Sequence, residues 1–153
     1  MLPEIDIEGQ ISISSSKIAV VGLGGLGCSA SVYLAASGVG ELNLIDNDLI
    51  DLSNLQRQIL FSEADLNKKK VDTAKIKLSS LNENIKVNSS NLRLNKSNIR
   101  KILEGSEIVL DCTDNFETRK VINAYCLNEK KILISGSSQG WKGQFFALSL
   151  IHI

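Results

Sequence analysis

The strongest indication of the fold of this 153-residue chain is the segment Lys17-Ile-Ala-Val-Val-Gly-Leu-Gly-Gly-Leu-Gly27. A short apolar run rich in β-branched residues is followed at once by four closely spaced glycines. Apolar runs of this length that end in glycines are typical of buried strands. The small residues that follow, as far as Ser37, have a helical apolar pattern, and Gly38 is a typical helix stop. The stretch therefore predicts a strand, a tight turn and a helix.

The rest of the chain continues this alternation of strands and helices. Asn67 and Asp114 are predicted to be N-caps of two of the helices. Further helices are predicted at residues 68–81, 96–103 and 115–129, and further strands at 41–46, 85–92, 107–111, 131–135 and 143–150. Strands that alternate with helices favour a Rossmann-like, doubly wound α/β fold with a mainly parallel sheet and helices on both faces. The length fits a single domain over residues 1–153.

The composition argues against several classes of function. Seventeen basic and 17 acidic residues cancel, which disfavours a nucleic acid or an anionic membrane recognised by bulk charge. No apolar run approaches the roughly 18–20 residues of a membrane-spanning helix, and the acidic N-terminus lacks the basic start of a signal peptide. We therefore expect a cytoplasmic protein. The spacing of Cys28, Cys112 and Cys126 fits neither a disulfide framework nor a zinc site. We therefore expect each cysteine to pack in the core as a small hydrophobic residue.

Gly22, Gly24 and Gly27 form the pattern G-x-G-x-x-G between a strand and a helix. Glycines let the backbone turn tightly and let phosphate oxygens approach its N–H groups, and the helix N-terminus adds unpaired donors. Asp46 ends the next predicted strand, about 20 residues later, where a carboxylate accepts hydrogen bonds from ribose hydroxyls. This context predicts a nucleotide site. The alternative is a tight packing turn with a surface aspartate.

Basic and polar residues downstream extend this predicted site. Arg57 is a candidate phosphate clamp, because a guanidinium group binds phosphate bidentately, and Asn54 and Gln56 lie beside it in sequence. The basic run at residues 68–70 opens a predicted helix, where positive charge opposes the helix dipole. That placement indicates a nearby anion, and a solvated surface run is the alternative.

The segment Asp111-Cys-Thr-Asp-Asn115 joins a predicted strand to a predicted helix. A carboxylate near a triphosphate normally holds Mg²⁺. Both aspartates follow the end of a predicted strand and are in reach of the predicted nucleotide site. The spacing does not say which aspartate meets the metal, and Asp114 is alternatively a helix cap. An NAD(P)-binding oxidoreductase domain would explain the glycines and Asp46 but would leave Arg57, Lys70 and Asp114 without a role.

Taken together, these motifs resemble the ThiF/MoeB family, the bacterial relatives of ubiquitin-activating enzymes. Two of the motifs, S-N-L-Q-R-Q and D-C-T-D-N, are far more specific than the glycines. The matching motifs are G-x-G-G-L-G at 22–27, L-I-D ending at Asp46, S-N-L-Q-R-Q at 53–58, K-V-x-x-A at 70–74 and D-C-T-D-N at 111–115. Their order and spacing fit the family over residues 3–146.

The resemblance implies an ATP- and Mg²⁺-dependent adenylyltransferase. Its substrate would be the C-terminal glycine of a ubiquitin-like sulfur-carrier protein that ends in Gly-Gly, as in thiamine or molybdenum-cofactor biosynthesis, and pyrophosphate would be released. Arg57, Lys70 and Asp114 would be catalytic, with Asp114 as the Mg²⁺ ligand. The implied nucleotide-binding residues are Gly22, Gly24, Gly25, Gly27, Asp46, Ser53, Asn54, Gln56, Arg57, Lys70, Asp114 and Asn115.

Parts of the family pattern are missing from this sequence. Members usually begin with an arginine-bearing R-Y-x-R-Q segment and continue into two Cys-x-x-Cys zinc pairs and a carrier-binding sheet, and residues 149–153 do not resemble that continuation. We therefore expect a partial adenylation domain, with structural zinc only in the missing part and a homodimer at full length. An inactive nucleotide-binding fragment is the alternative.

Overall fold

The structure, a computed structural model, describes residues 5–148, and its centre is a six-stranded sheet in the order β3-β2-β1-β4-β5-β6. The first five strands are parallel, and β6 runs antiparallel to β5. This is the strand order of the doubly wound Rossmann fold, so the predicted fold class is confirmed. The strands are β1 (Lys17–Val21), β2 (Glu41–Asp46), β3 (Lys86–Asn91), β4 (Ile108–Asp111), β5 (Ile132–Gln139) and β6 (Lys142–Leu148).

Helices cover the sheet through two apolar cores. In one core, Cys28 and Leu78 from two helices pack with Val20 of β1. In the other core, Ile122 packs with Val109 of β4. No helix within residues 5–148 is long and apolar enough to cross a lipid bilayer. The helices are α1 (Ile7–Ser15), α2 (Gly25–Ser37), α3 (Lys70–Leu81), α4 (Ile99–Leu103) and α5 (Phe116–Asn128).

The predicted helix cap at Asn67 is wrong. Asn67 has a φ of 65°, in the left-handed region, and α3 begins only at Lys70. The reason is a tertiary contact, because the segment before α3 pairs with the loop after β2. The N–H of Ile50 donates to the carbonyl of Lys68, and the N–H of Asn67 donates to the carbonyl of Ile50, each at 2.9 Å. This pairing places Lys70 beside the loop that follows β2.

The predicted helix cap at Asp114 is also wrong. Asn115 caps α5, and its side-chain oxygen accepts a hydrogen bond of 3.0 Å from the N–H of Thr118. Both residue types are good caps, so sequence alone does not choose between them. The consequence is functional, because capping by Asn115 leaves the exposed Asp114 carboxylate uninvolved in the helix end.

The last two strands differ in length from the prediction. β5 runs to Gln139 rather than ending at Ser135, because β6 pairs with it as far as the turn between them. β6 spans Lys142–Leu148, and the predicted end at residues 149 and 150 lies outside the described residues.

Asp65 is a buried carboxylate that anchors the loop before α3. It accepts hydrogen bonds from the N–H and hydroxyl of Ser62, at 3.0 and 2.9 Å, and it pairs with the ammonium groups of Lys77 and Lys68. The bond from Lys77 is the main cause that holds the pKa of Asp65 well below its usual range. A lowered pKa gives stability that is complete above the usual value of about 4 and is lost as the pH falls through the native-state pKa.

We therefore expect Asp65→Asn to lower the free energy of unfolding at pH 7 by about 1–3 kcal/mol, the range for hydrogen bonds to charged groups. The difference from the wild type is expected to shrink as the pH falls below about 4, because the carboxyl group of the unfolded wild-type chain then takes up a proton while the native carboxylate, with its lowered pKa, stays ionised. Urea unfolding at pH 7, 5 and 3 measures both effects, with Glu83→Gln on the exposed surface as the control. A difference that stays constant over this range would contradict the assignment.

Candidate functional site

The polar groups that follow β1, β2 and β4 line one open cleft of about 1060 Å³. The chain leaves β1 toward β2 on one side, and β4 lies next to β1 on the other side. The cleft therefore lies at the topological switch point, where doubly wound sheets bind ligands. The predicted residues that line it are Gly22, Gly24, Gly25, Asp46, Asn54, Arg57, Lys70, Asp114 and Asn115.

The glycine loop, residues 22–27, contains glycines of two kinds. Gly22 has a φ of 90°, and a Cβ on Gly27 would lie 1.8 Å from the carbonyl oxygen of Gly22, so both shape the turn. A Cβ on Gly24 would meet nothing within 4 Å. Gly24 is the N-cap of α2 and makes no side-chain cap, so the start of this helix faces open space in the cleft. Such a helix start suits an anion.

These differences predict opposite outcomes for two alanine variants. We expect Gly27→Ala to lower the free energy of unfolding by more than about 4 kcal/mol, because the backbone at Gly22 must move to admit the methyl group. We expect Gly24→Ala to leave the melting temperature within a few degrees, because the methyl group enters open cleft. Thermal unfolding of both variants measures the contrast. Equal losses of stability would contradict it.

Asp46 connects the glycine loop to the end of β2. One carboxylate oxygen accepts from the N–H of Leu23 at 2.6 Å, and the other accepts from the N–H of Asp48 at 2.7 Å. A carboxylate oxygen can accept two hydrogen bonds, and each oxygen of Asp46 accepts one here, so each can still accept a bond from a ribose hydroxyl. Asp46 is half-buried and lines the cleft, as expected for the predicted ribose contact.

Arg57 lies beside the glycine loop with its charge available. Its guanidinium donates to the Asn54 side chain at 2.7 Å, to the Ser53 carbonyl at 3.3 Å and to the Gln56 side chain at 3.4 Å. These acceptors are neutral, and no carboxylate of the described chain pairs with Arg57. A Cβ on Gly25 would lie 3.4 Å from Cγ of Arg57. The guanidinium is therefore oriented by neutral groups.

Three of the predicted binding residues do not line the cleft. Gly27 is buried in the turn, whereas Ser53 and Gln56 are exposed. Ser53 and Gln56 act on the cleft through Arg57, since each accepts a hydrogen bond from it.

Lys70 is only 4% exposed, and its ammonium donates to the carboxylate of Asp48 at 2.9 Å. Two interpretations were given for the basic run at residues 68–70, a group near an anion and a solvated surface run, and each fits part of it. Lys70 lines the cleft, whereas Lys69 is exposed and the exposed Lys68 pairs with the buried Asp65. Of the three lysines in this run, Lys70 is therefore the one whose positive charge reaches the cleft.

The structure separates the two aspartates of the D-C-T-D-N motif. Asp111 is 2% exposed, and its carboxylate accepts from the N–H and hydroxyl of Thr113 and from the hydroxyl of Ser135. Asp111 also lies 3.6 Å from Nε of Arg119. Asp114 is exposed, lines the cleft and forms no hydrogen bond or ion pair with residues 5–148. The geometry therefore favours Asp114 as the carboxylate that is available for a cation.

A magnesium ion fits this donor set. The described residues contain no group of three or more His, Cys, Asp or Glu side chains placed to hold a metal. Mg²⁺ is commonly held by one or two carboxylates together with phosphate oxygens and water. The Asp114 carboxylate, unpaired within residues 5–148, lies in a cleft suited to phosphates and meets that requirement with one protein ligand.

The three cysteines are free thiols, and Cys28 and Cys126 are buried as predicted. Cys112 differs, because it is half-buried and lines the cleft. Burial is the largest cause that raises the pKa of Cys28 to about 12 and the pKa values of Cys112 and Cys126 to about 11. All three thiols are therefore protonated near neutral pH and poor nucleophiles.

Several polar residues of the cleft were not predicted as site residues, and among them are Asp48, Gln58 and Arg119. Arg119 donates to the carbonyls of Thr113 and Gly136, and so ties the loop after β4 to β5. The sequence feature that could have identified Arg119 is its position one helical turn after the cap at Asn115. Gln58 is 1% exposed, and a buried glutamine gives no separate signal in the sequence.

Strand order, glycine loop and cleft together define a Rossmann-type α/β protein with a polar site at its topological switch point. The model of the ThiF family matches residues 1–151. The chain belongs to the ThiF family, which confirms the resemblance found in the sequence motifs.

Relatives and solved structures agree with this assignment. The chain is 46% identical over 144 residues to the molybdopterin-synthase adenylyltransferase of Haemophilus influenzae. It is 40% identical over 149 residues to the sulfur carrier protein ThiS adenylyltransferase of Escherichia coli. These alignments cover 94% and 97% of this chain, and the chain spans 59% of the length of each relative.

Solved structures of Escherichia coli MccB have the same fold. A crystal structure of E. coli MccB with MccA-N7isoASN has a TM-score of 0.85 and 31% identity, covering 92% of this chain and 41% of MccB. The structure of E. coli MccB with ATP has a TM-score of 0.78 and 35% identity, covering 84% of this chain and 38% of MccB.

Proposed function

We propose that this chain carries the site at which a ThiF-family adenylyltransferase transfers AMP from ATP to the C-terminal glycine of a ubiquitin-like sulfur carrier. One observation carries the proposal, which is the presence in one cleft of three groups suited to a triphosphate. They are the open start of α2 at Gly24, the Arg57 guanidinium, whose partners among residues 5–148 are neutral, and the available Asp114 carboxylate. The names of the two sequence relatives support the reaction and the carrier.

The nucleotide is placed by the groups that line the cleft. The glycine loop and the start of α2 hold the phosphates, and Asp46 holds the ribose. Arg57 and Lys70 lie around the triphosphate with Asn54, and Asn115 lies beside the nucleotide. Gly22 and Gly27 shape the turn, whereas Ser53 and Gln56 orient Arg57.

The reaction forms one bond and breaks one bond at the α-phosphorus. A carboxylate oxygen of the carrier's terminal glycine attacks the α-phosphorus, and the bond to the bridging α–β oxygen breaks, which gives an acyl adenylate and pyrophosphate. The attacking carboxylate is already ionised, so the step requires neither a general base nor a thiolate, and burial raises the pKa of the Cys112 thiol in the cleft. Catalysis depends on in-line positioning and on neutralisation of the leaving pyrophosphate. Arg57 and Lys70 supply that charge, and Asp114 would hold a Mg²⁺ ion that would add positive charge when bound.

Trapping with hydroxylamine tests the reaction. We expect the chain, Mg-ATP and a carrier that ends in Gly-Gly to give a hydroxamate at the carrier's C-terminus, because hydroxylamine intercepts an acyl adenylate. Mass spectrometry of the carrier measures the product, and a carrier that lacks the last glycine is the control. Binding of Mg-ATP without any hydroxamate would indicate a nucleotide-binding module that is not an adenylating enzyme.

An NAD(P)-dependent oxidoreductase is the second candidate, because the glycine loop and Asp46 suit a dinucleotide as well. This function leaves Arg57, Lys70 and Asp114 without a role in the cleft they line. Titration calorimetry with NAD and with Mg-ATP separates the two functions. Tighter binding of NAD would overturn the adenylation site.

The remaining expectations concern the protein's surroundings. We propose a cytoplasmic location, which suits three free cysteines and a reaction that consumes ATP. A homodimer and a structural zinc site are proposed for the longer family architecture, of which this chain spans part.

A further inference from the structure

Lys70 and Asp48 form an ion pair inside the cleft. The ammonium of Lys70 lies 2.9 Å from one carboxylate oxygen of Asp48, and the Asp48 side chain is 59% exposed. The other carboxylate oxygen lies 3.4 Å from the side-chain amide of Asn47. Among residues 5–148, Asp48 is the one carboxylate that pairs with Lys70. Any phosphate oxygen that binds the Lys70 ammonium therefore shares it with the Asp48 carboxylate.

Backbone contacts fix the relative positions of these two residues. The N–H of Lys70 donates to the carbonyl of Asp48 at 3.1 Å, and Leu49 and Lys69 form an antiparallel bridge between the two segments. The N–H of Asp48 also donates to Asp46 at 2.7 Å. Asp48 therefore cannot withdraw from Lys70 by a movement of its backbone without disturbing the nucleotide-binding Asp46.

On the basis of the proposed function, we propose that Asp48 determines which form of the triphosphate the cleft accepts. Its carboxylate competes with phosphate oxygens for Lys70 and repels a triphosphate that carries no Mg²⁺. A phosphate oxygen that reaches the Lys70 ammonium comes within a few ångströms of Asp48, where like charges repel strongly in a partly buried site. A bound Mg²⁺ lowers the negative charge of the triphosphate and so weakens this repulsion.

Asp48→Asn tests this role, because it removes the charge and keeps the shape. We expect the affinity for ATP in EDTA to rise by on the order of tenfold and the affinity for Mg-ATP to rise less. The affinity for AMP is expected to stay unchanged, because AMP has no β- or γ-phosphate. The melting temperature of the nucleotide-free variant is expected to fall, since Lys70 then lacks its counter-ion. Calorimetry and thermal unfolding measure these effects.

The control variant is Asp72→Asn, an exposed carboxyl on α3 that does not line the cleft, and we expect it to change none of the nucleotide affinities. Asp48→Ser is a second charge-removing variant, which leaves no cavity because the side chain is mostly exposed. ATP binding by the wild type that both Asp48 variants leave unchanged or weaken would overturn this inference alone. Weaker Mg-ATP binding with unchanged binding of free ATP would also overturn it, in favour of a metal ligand. No ATP binding by the wild type would overturn the proposed function as well.

Discussion

Arg57→Ala is expected to lower the rate of ATP–pyrophosphate exchange by about 10²–10³-fold, the loss typical of one charge-stabilising donor at a transition state. The guanidinium lies against Gly25 at the start of α2 and is oriented by three neutral oxygens. Removal of the side chain therefore takes a fixed positive charge away from the leaving pyrophosphate. Because Arg57 is exposed, we expect the melting temperature to change little.

Two further variants make the Arg57 result specific. Arg57→Lys keeps the charge but loses the planar fork, so we expect an intermediate rate. Arg100→Ala removes an exposed arginine that pairs with Glu129 outside the cleft, and we expect a rate close to that of the wild type. An Arg57→Ala protein that exchanges pyrophosphate at the wild-type rate would remove Arg57 from the phosphate site.

Asp114→Asn is expected to lower the exchange rate by about 10²-fold and to raise the Mg²⁺ concentration needed for half-maximal rate. An amide is a weaker ligand for a hard cation than a carboxylate, and the exchanged side chain has the same size. Asp114 makes no ion pair or hydrogen bond in the described chain, so we expect the stability of the Asp114→Asn protein to equal that of the wild type. Mg²⁺ titrations of the exchange rate and thermal unfolding measure the two effects.

Asp111→Asn is the matched control, because it makes the same chemical change three residues earlier. Its carboxylate is buried and holds Thr113 and Ser135, so we expect a loss of stability of about 1–3 kcal/mol. We expect no direct change in Mg²⁺ dependence. A shift in Mg²⁺ dependence for Asp111→Asn and none for Asp114→Asn would reverse the assignment of the two aspartates.

The fold was predictable because its signals are local and repeated. The apolar run before Gly22 and the alternation of strands and helices lead to a parallel doubly wound sheet. Helix starts were less predictable, since Asp114 and Asn115 have the same capping chemistry and the start of α3 depends on pairing with the loop at Ile50. The helix α1 was not predicted, since it buries no residue fully and its isoleucines at positions 7 and 11 are exposed.

The candidate site was predictable as a set of residues and less so as an arrangement. The motifs identified Arg57 and Asp114, and the structure places both in the cleft. Sequence spacing did not distinguish Gly27, which packs against Gly22, from Gly24, which faces open space. The pairing of Lys70 with Asp48 was also invisible, because it joins side chains 22 positions apart through the fold.

Isotope exchange between pyrophosphate and ATP measures directly whether this cleft adenylates the C-terminus of a sulfur carrier. We predict exchange that requires Mg²⁺ and a carrier that ends in Gly-Gly, and that disappears when the terminal glycine is removed. Exchange that proceeds equally without the carrier, or a protein that binds Mg-ATP and the carrier but exchanges no pyrophosphate, would contradict the proposed function.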